Sequence, residues 1–289
     1  MAEAGDSVLS ATSGFDSPDE SYDDIMHYFV HEGVRLPPFC RGKMEDILNF
    51  PVRKDDLWIV TYPKSGLWAQ DLVYLISKGG KLEEVDLDLE TVEDSVPYLE
   101  YPSPGLEALH AMKSPRLIKS HLPYKLLPLG VRQNHCKVIY VSRNPKDVMC
   151  SFYDFHRMVR MVNYKGTFNQ FFHRFLNNKL AYGSYFDHTL DWWNHKDDKH
   201  IMFIKYEDLK KNLAVTVDKI SCFMGVSLSS DLVEQIVEYW GSVTQYNRRE
   251  DRVGYWKNMF TVAMNEKFER VQPVKMKDVG LHFDFGECY

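Results

Sequence analysis

Several kinds of signal are missing from this 289-residue chain, and each absence excludes a class of protein. No apolar stretch approaches the length that crosses a bilayer, and the first residues, MAEAGDSVLSATSG, have neither the basic nor the apolar region of a secretory signal. The formal net charge is −6, so no overall positive field attracts nucleic acid or an anionic membrane. We therefore expect a cytoplasmic protein that binds neither nucleic acid nor membrane. An anionic ligand would need a local cationic site.

Cysteine is also sparse. The five cysteines are widely spaced, odd in number and never arranged as CxxC: Cys40, Cys136, Cys150, Cys222 and Cys288. This spacing argues against a disulfide framework and against structural zinc. No cluster of His, Cys and Asp has the spacing of metal ligands, so we expect no metal cofactor.

Charge and apolar residues divide the chain into a tail and one domain. Residues 1–28 are rich in Asp, Glu, Ser and Gly and have little to bury, which predicts a disordered acidic tail. No internal repeat and no linker divides the remainder. Residues 29–289 are therefore predicted to form a single domain.

Short apolar runs rich in β-branched and aromatic residues predict four buried strands: Leu57–Tyr62, Arg116–Lys119, Lys137–Ser142 and Ile201–Tyr206. Helical patterns lie between and after them: Trp68–Ser77, Pro145–Arg157, Thr167–Leu180, Leu213–Met224 and Asp231–Trp240. Asn144 is the predicted N-cap of the second helix, and Ser229 and Ser230 cap the last. The alternation predicts an α/β fold, a parallel sheet with helices on both faces. Ligands of such sheets bind beyond the carboxyl ends of the strands.

Residues 61–66, Thr-Tyr-Pro-Lys-Ser-Gly, join the first strand to the first helix. Backbone N–H groups at a helix N-terminus, with the Lys64 ammonium, make a natural phosphate cradle. The sequence is not a Walker A loop, since GxxxxGK[ST] is absent. The alternative is an ordinary turn with a solvated lysine.

A second strand-turn-helix segment contains Arg143 and Ser151. Arg143 lies directly after the strand, where its guanidinium can donate two hydrogen bonds to a phosphate. Ser151 lies about two helical turns beyond Asn144, within reach of the same anion. The alternative pairs Arg143 with Asp147 and leaves Ser151 as a small packing residue.

The third segment, Lys119-Ser120-His121-Leu122-Pro123, follows another strand. A histidine at a strand exit can serve as a general base near neutral pH. The chain has 11 histidines, and the alternative for His121 is a structural or solvated side chain.

Taken together and in order, these segments resemble the cytosolic sulfotransferases. The resemblance covers about residues 30–285 and is carried by residues 62–66, 119–123, 143–147, 206–208 and 252–257. Residues 33–44 and 260–268 are most similar to the 4A, brain-type branch. The resemblance implies one α/β domain that transfers the sulfuryl group of 3′-phosphoadenylyl sulfate to a small phenol, alcohol or amine.

The resemblance also implies a role for each matching residue. Lys64, Ser65 and Gly66 would hold the 5′-phosphosulfate, and Arg143 and Ser151 the 3′-phosphate. His121 would deprotonate the acceptor, while Lys64 and Lys119 neutralise charge on the leaving group and the sulfuryl oxygens. Trp68, Tyr206 and Arg249 complete the predicted nucleotide site.

Two further expectations concern partners. Lys257, Thr261, Val262 and Glu266 match the family's dimer pattern KxxxTVxxxE, which implies a homodimer with a small contact. The aromatic residues would build an apolar acceptor pocket, for which Phe39 and Phe155 are candidates; for either one, core packing is the favoured role.

The chain departs from the family pattern in three places. First, the loop runs from Gly66 directly to Leu67-Trp68, without the threonines that are usual in the family. Second, residues 249–251 read Arg-Glu-Asp, where Arg-Lys-Gly is usual. Third, the stretch between Trp240 and Arg249 is shorter than the family's mobile segment. The alternative function is therefore a protein of this fold that binds nucleotide weakly or not at all and acts through partners.

Overall fold

The strands form two sheets. The computed structural model describes residues 27–85, 87, 89–160, 162–242, 251–277 and 279–286. A short antiparallel hairpin comes first, β1 (Phe29–His31) and β2 (Val34–Leu36). The main sheet contains β3 (Leu57–Thr61), β4 (Leu117–Ser120), β5 (Lys137–Ser142) and β6 (Ile201–Lys205). These strands are parallel in the order β4-β3-β5-β6.

Successive side chains of the main sheet alternate between two hydrophobic clusters. Trp58 and Val60 of β3 belong to one cluster, and Leu57 and Ile59 belong to the other. Because side chains of a strand point to opposite faces in turn, the two clusters lie on the two faces of the sheet. A sheet covered on both faces needs apolar side chains on both, which explains the consecutive apolar residues in each strand.

Helices surround the sheet and carry its remaining connections. In chain order they are α1 (Met44–Leu48), α2 (Leu67–Ser77), α3 (Leu89–Ser95), α4 (Leu106–Ala111), α5 (Leu129–Arg132), α6 (Pro145–Met158), α7 (Phe168–Leu176), α8 (Tyr185–Trp193), α9 (Tyr206–Lys211), α10 (Leu213–Met224), α11 (Ser230–Ser242) and α12 (Val262–Met276). Helices α2, α10 and α11 pack on one face of the sheet, and α6, α7 and α8 on the other. Within the described ranges, none of these helices combines the length and the apolar character that a bilayer crossing requires.

The predicted parallel α/β fold is confirmed, with each predicted strand within one residue of its observed bounds. Asn144 caps α6 as predicted, since its side chain accepts a hydrogen bond from the Asp147 N–H. The helix predicted over Thr167–Leu180 was too long: Thr167 is the N-cap, the helix ends at Leu176, and Asn178 adopts a left-handed conformation that stops it. The predicted tail over residues 1–28 lies outside the described residues except for its last two.

The parallel arrangement brings all the predicted strand-exit residues to one edge of the sheet. Lys64 follows β3, His121 follows β4, Arg143 follows β5 and Tyr206 follows β6. The strand order therefore sets a row at the carboxyl edge: His121, then the Lys64 loop, then Arg143, then Tyr206.

Candidate functional site

The loop between β3 and α2 turns tightly under local constraints. Ser65 N–H donates to the Tyr62 carbonyl at 3.2 Å, and Lys64 has a left-handed backbone with φ of 71°. A Cβ on Gly66 would lie 2.4 Å from Thr61 Cγ2, so only glycine fits where the loop enters the helix. The constraints place the N-terminus of α2 directly behind Lys64.

This loop fits an anionic group. Ser65 Oγ is buried without a hydrogen-bond partner in the described structure, as is Nε2 of Gln70, one turn into α2. A buried polar hydrogen without a partner costs free energy unless a ligand satisfies it. Lys64 Nζ lies 5.2 Å from the centroid of the Phe155 ring at the same place. Donors, a cation and a helix N-terminus are the features of a phosphate or sulfate site.

His121 is held in one tautomer. Its Nδ1 donates to the Thr61 carbonyl at 2.8 Å, so Nε2 carries the lone pair. Tyr98 donates its phenol hydrogen to that Nε2. Burial lowers the pKa of His121 to about 3, the Thr61 hydrogen bond opposes the shift, and the Lys119 charge adds to it. The imidazole is therefore neutral at physiological pH, with its basic nitrogen turned toward the Tyr98 hydroxyl.

The backbone of His121 is fixed from two sides. Its N–H donates to a carboxylate oxygen of buried Glu100 at 2.6 Å, and its carbonyl accepts from His188 Nε2 at 3.0 Å. Burial raises the pKa of Glu100 to about 7, although the hydrogen bond from His121 opposes that rise. These contacts hold the His121 imidazole in place without occupying its ring nitrogens.

Lys119 lies beside His121 and faces the same space. Its Nζ donates to Gln70 Oε1 at 2.9 Å, lies 4.2 Å from the centroid of the Tyr98 ring, and is 3.7 Å from the Glu93 carboxylate. Burial lowers the pKa of Lys119, and the carboxylates of Glu93 and Asp71 oppose the shift. The ammonium is thus mostly removed from water, where its charge acts more strongly on a neighbouring anion.

Arg143 is buried and forms one wall of the site. Its guanidinium lies 4.7 Å from the centroid of the Tyr206 ring and contacts the carbonyls of Lys64 and Arg252 at 3.5 Å each. The Asp147 carboxylate, the partner in the alternative interpretation, accepts hydrogen bonds from Asn144 Nδ2 and from the Gly254 and Trp256 N–H groups. Asp147 therefore fixes the 254–256 segment against α6.

Buried Glu207, in the first turn of α9, braces the turn that contains Arg143. One of its oxygens accepts from the Asn144 N–H at 2.6 Å and from Asn144 Nδ2 at 3.2 Å. Burial raises the pKa of Glu207 to about 7, and the Asn144 contacts oppose the rise. Ser151 is buried on α6, two turns beyond Asn144. Arg143 therefore directly precedes the N-cap of α6, and Ser151 lies on the second turn of that helix.

Tyr206 and Trp68 form the far end of the row. Their rings meet edge to face with centroids 6.1 Å apart, and Lys210 Nζ lies 2.9 Å from the centroid of the Trp68 ring. Burial lowers the pKa of Lys210 to about 8, the Asp251 charge opposes the shift, and Arg143 adds to it. No pattern in the sequence predicts Lys210 at this position, because Lys210 lies on a short charged helix after the Tyr-Glu-Asp segment.

Of the departing segment, only Asp251 is described; Arg249 and Glu250 lie in the range 243–250, outside the described residues. Tyr206 donates its hydroxyl to the Asp251 carbonyl at 2.8 Å. The backbone of residue 251 is therefore held against Tyr206, at the end of the row. Residues 243–248 of the shortened stretch after Trp240 fall in the same undescribed range.

A cavity of about 270 Å³ opens beside His121. Its polar wall contains the predicted catalytic set, and its apolar wall is largely aromatic: Tyr28, Phe39, Tyr98, Tyr101, Phe152, Phe155 and Tyr182. Phe39 and Phe155 therefore line the cavity, which was the less favoured expectation for both.

Tyr98, Glu100 and Gln70 were not predicted from the sequence. Only Gln70 had a usable signal, because it lies one helical turn after Gly66.

The predicted dimer residues lie on the surface. Lys257, Thr261, Val262 and Glu266 are exposed, Val262 at 76%. The Thr261 hydroxyl accepts from the Met264 N–H and caps α12, while Lys257 Nζ donates to the Gly286 carbonyl.

In the described ranges, no group of three His, Cys, Asp or Glu side chains is placed to hold a metal ion.

Comparison with known proteins gives a consistent set of relatives. The family model described as "Sulfotransferase domain" matches residues 54–280. Sulfotransferase 4A1 of mouse and of human are each 47% identical over 266 residues, which cover 89% of this chain and 93% of theirs. Human Sulfotransferase 1C2 is 35% identical over 279 residues, covering 87% of this chain and 93% of its own. The higher identity to 4A1 confirms the predicted branch.

Solved structures show the same fold. Mouse sulfotransferase SULT7A1, solved in complex with PAP, has a TM-score of 0.70 at 27% identity and covers 88% of this chain and 95% of its own. Retinol dehydratase in complex with androsterone and PAP has a TM-score of 0.77 at 23% identity, covering 90% and 92% of the two chains.

Proposed function

The chain belongs to the sulfotransferase family, and on that premise we propose that it transfers a sulfuryl group from 3′-phosphoadenylyl sulfate to a small-molecule acceptor. The observation that carries the proposal is the row at the carboxyl edge of the sheet. In this row, His121, the Lys64 loop and Arg143 follow three adjacent strands in that order. The cavity lies at the end of the row where His121 is. The PAP-bound relative at 27% identity supports the choice of nucleotide.

At the acceptor end, we assign His121 Nε2 as the general base. The acceptor hydroxyl or amine gives its proton to Nε2 as it attacks sulfur, and the Thr61 carbonyl stabilises the imidazolium that forms, because it already accepts from Nδ1. Lys119 and Lys64 stabilise the charge on the sulfuryl oxygens and the departing phosphate. Gly66 and Ser65 hold the 5′-phosphosulfate at the N-terminus of α2, with the Ser65 hydroxyl as a donor.

At the nucleotide end, Arg143 and Ser151 hold the 3′-phosphate, and Tyr206 and Trp68 line the remainder of the nucleotide site. Arg249 completes this set in the proposal. Arg143 is suited to the role because its guanidinium is buried and stacked on Tyr206, so little conformational freedom is lost when a phosphate binds. The co-substrate supplies the activated sulfuryl group when it is bound, and the proposal includes no metal.

The experiment begins with calorimetric titration of adenosine 3′,5′-bisphosphate, followed by sulfuryl transfer to a panel of phenols, alcohols and amines. We expect His121→Ala to lower turnover by about a hundred- to ten-thousandfold and to leave nucleotide affinity nearly unchanged. His110→Ala, at an exposed histidine of α4, is the control and should keep the turnover and the nucleotide affinity of the wild type. Near-wild-type turnover in His121→Ala would refute the base.

The competing function, a protein of this fold that binds nucleotide weakly and acts through partners, is not favoured by the relatives. The same titration separates the two functions. No detectable heat with adenosine 3′,5′-bisphosphate, together with no transfer to any acceptor, would favour the competing function.

The assembly and location we propose follow from the family and from the surface. A homodimer would form through Lys257, Thr261, Val262 and Glu266, since a valine exposed at 76% beside opposite charges suits a small self-complementary contact. We place the protein in the cytoplasm, as its family implies; the four cysteines of the described ranges are free thiols, which suits a reducing compartment.

A further inference from the structure

The short helix α9 places a lysine beside the nucleotide end of the row. The helix begins at Tyr206, directly after β6, and ends at Lys211. Residues four apart lie on the same side of a helix, so Lys210 shares the side of Tyr206. The Lys210 Nζ lies 5.7 Å from the centroid of the Tyr206 ring, whereas Asp208 and Lys211 are exposed. Helix α9 therefore directs Lys210 toward the residues to which the proposed function assigns the nucleotide.

The ammonium of Lys210 is partly removed from water. It lies over the face of the Trp68 indole, 2.9 Å from the ring centroid, and the side chain as a whole is half-buried. Burial lowers the pKa of Lys210 to about 8, so the side chain is mostly protonated at neutral pH. A cation in such a place is screened less than one in bulk water, and its charge acts more strongly on a neighbouring anion.

Two arginines lie within electrostatic reach of the same ammonium. The Arg143 guanidinium lies 4.7 Å from the centroid of the Tyr206 ring, which Lys210 also approaches. Beyond the effect of burial, the Asp251 charge raises the pKa of Lys210, and the charges of Arg143 and Arg252 lower it. Cations that converge in a partly buried place repel one another, and an anion bound between them relieves that repulsion. A phosphate is an anion of the charge that such a cluster binds.

Asp251 makes a further cation necessary at this place. Its carbonyl accepts the Tyr206 hydroxyl at 2.8 Å, which holds residue 251 beside the ring that Lys210 approaches. A carboxylate near a bound phosphate opposes binding. Arg-Glu-Asp in place of Arg-Lys-Gly at residues 249–251 also leaves this segment with one positive charge fewer and two negative charges more. Lys210, on a different element, lies where its charge offsets that change.

Lysine is suited to this task because its charge can move over a short distance. The ammonium ends a flexible four-carbon stem and has three donors that rotate freely. The contact with the Trp68 indole stabilises the cation and keeps it beside the proposed nucleotide site. A small rotation of the stem brings Nζ from the indole to an anion beside Arg143, and the backbone of α9 does not need to move.

We infer that Lys210 is a further nucleotide contact, and that its ammonium binds the 3′-phosphate together with Arg143 and offsets the charge of Asp251. The inference rests on the proposed function, since it takes Arg143 as a contact of the 3′-phosphate. It adds a residue from α9 to the contacts that the sequence predicted. It also makes Lys210 a determinant of the preference for nucleotides that have a 3′-phosphate.

The test compares two nucleotides on the purified full-length protein by calorimetry. Adenosine 3′,5′-bisphosphate has the 3′-phosphate and adenosine 5′-monophosphate lacks it, so the ratio of the two affinities isolates the effect of that group. Lys210→Met removes the charge and keeps an unbranched chain against the indole, and we expect the ratio to fall about ten- to a hundredfold. The affinity for adenosine 5′-monophosphate should stay nearly unchanged, because that nucleotide lacks the contact.

Two other variants serve as controls. Lys210→Arg keeps the positive charge and should keep most of the wild-type ratio. Lys211→Met removes the same charge from an exposed position on the same helix, and its ratio should equal that of wild type. The difference between Lys210→Met and wild type should also shrink at high salt, because salt screens an electrostatic contact.

An unchanged affinity ratio in Lys210→Met, with a melting temperature near wild type, would overturn the inference, since a lysine that only packs on Trp68 affects both nucleotides alike. An equal fall in Lys210→Arg and Lys210→Met would overturn it as well, because the charge would not be the cause. Should Lys210→Met not fold, Lys210→Gln gives the same comparison.

The proposed function can fail separately from this contact. A ratio that falls in Lys210→Met, for a wild type that transfers sulfuryl to no acceptor, would refute the proposed function and leave the contact in place. Transfer by the wild type with a ratio that does not depend on Lys210 would refute the contact alone. A wild type that binds neither nucleotide would refute both.

Discussion

Buried histidines should make this protein sensitive to acid, and His156 offers the clearest case. It is 2% exposed and lies within an aromatic group, with the Phe152 and Phe171 centroids 4.3 and 5.0 Å from its own. Burial lowers its pKa from 6.5 to about 4; its hydrogen bond to the Phe152 carbonyl opposes the shift, and the charge of Arg174 adds to it. Because the folded state resists protonation, stability is full above the unfolded pKa and falls as the pH drops through 6.5 toward 4.

The magnitude follows from the two pKa values. Between about pH 7 and about pH 4.5, the unfolded histidine gains its proton and the folded one mostly does not, which lowers the free energy of unfolding by about 2 kcal/mol. Replacement by Phe removes the titrating group and keeps the aromatic packing. We therefore expect His156→Phe to lose about 2 kcal/mol less than wild type over this range.

The assay is urea denaturation at each pH, followed by tryptophan fluorescence. His110→Gln, at an exposed site on α4, is the control and should lose as much stability in acid as wild type. Lower stability of His156→Phe at neutral pH alone would not matter, because the prediction concerns the difference between the two pH values. The reasoning is refuted if the acid loss of His156→Phe equals that of wild type.

Three further outcomes follow from the site and the surface. Arg143→Ala should weaken binding of adenosine 3′,5′-bisphosphate about ten- to a hundredfold by calorimetry; unchanged affinity would place the phosphate elsewhere. Asp251→Asn should strengthen that binding severalfold at low salt and less at high salt, since a carboxylate about 6 Å from a phosphate opposes it by roughly 2–3 kcal/mol at an effective dielectric near 20 before screening. Equal affinity at both salt concentrations would show that Asp251 does not face the phosphate. Glu266→Lys should convert a wild-type dimer to a monomer in sedimentation equilibrium, and a wild type that is monomeric at micromolar concentration would contradict the proposed contact.

The strands and the edge of the site were predictable because buried parallel strands leave a strong local signal. Residues 138–141, Val-Ile-Tyr-Val, are β-branched or aromatic, and Arg143, which follows the strand, is charged. Once the sheet is parallel, the strand exits lie at one edge whatever the loops do. The relatives confirm the predicted family and its branch. The family was predictable because several motifs that follow four strands in a fixed order are far more specific together than any one of them alone.

The missed features depend on contacts between distant residues. The hairpin of Phe29–His31 and Val34–Leu36 has strands of three residues each, too short for an alternating pattern to register. Tyr98 reaches His121 across 23 residues, and its segment pairs with β4 through a single bridge at Lys119. Nothing in the local composition near Tyr98 indicates that its hydroxyl meets a ring nitrogen.

The order of the strands has an evolutionary consequence. The proposed nucleotide contacts come after β3, β5 and β6, whereas one part of the cavity wall, with Tyr98 and Tyr101, comes from the segment before β4. Substitutions at 96–101 can therefore diversify the acceptor while the co-substrate contacts stay constant. The loop after β3 and helix α6 would serve both ends, because Lys64 also lines the cavity and because Phe155 of the cavity lies one turn after Ser151 on α6. We expect relatives with different acceptors to vary most beside β4 and least at the start of α6.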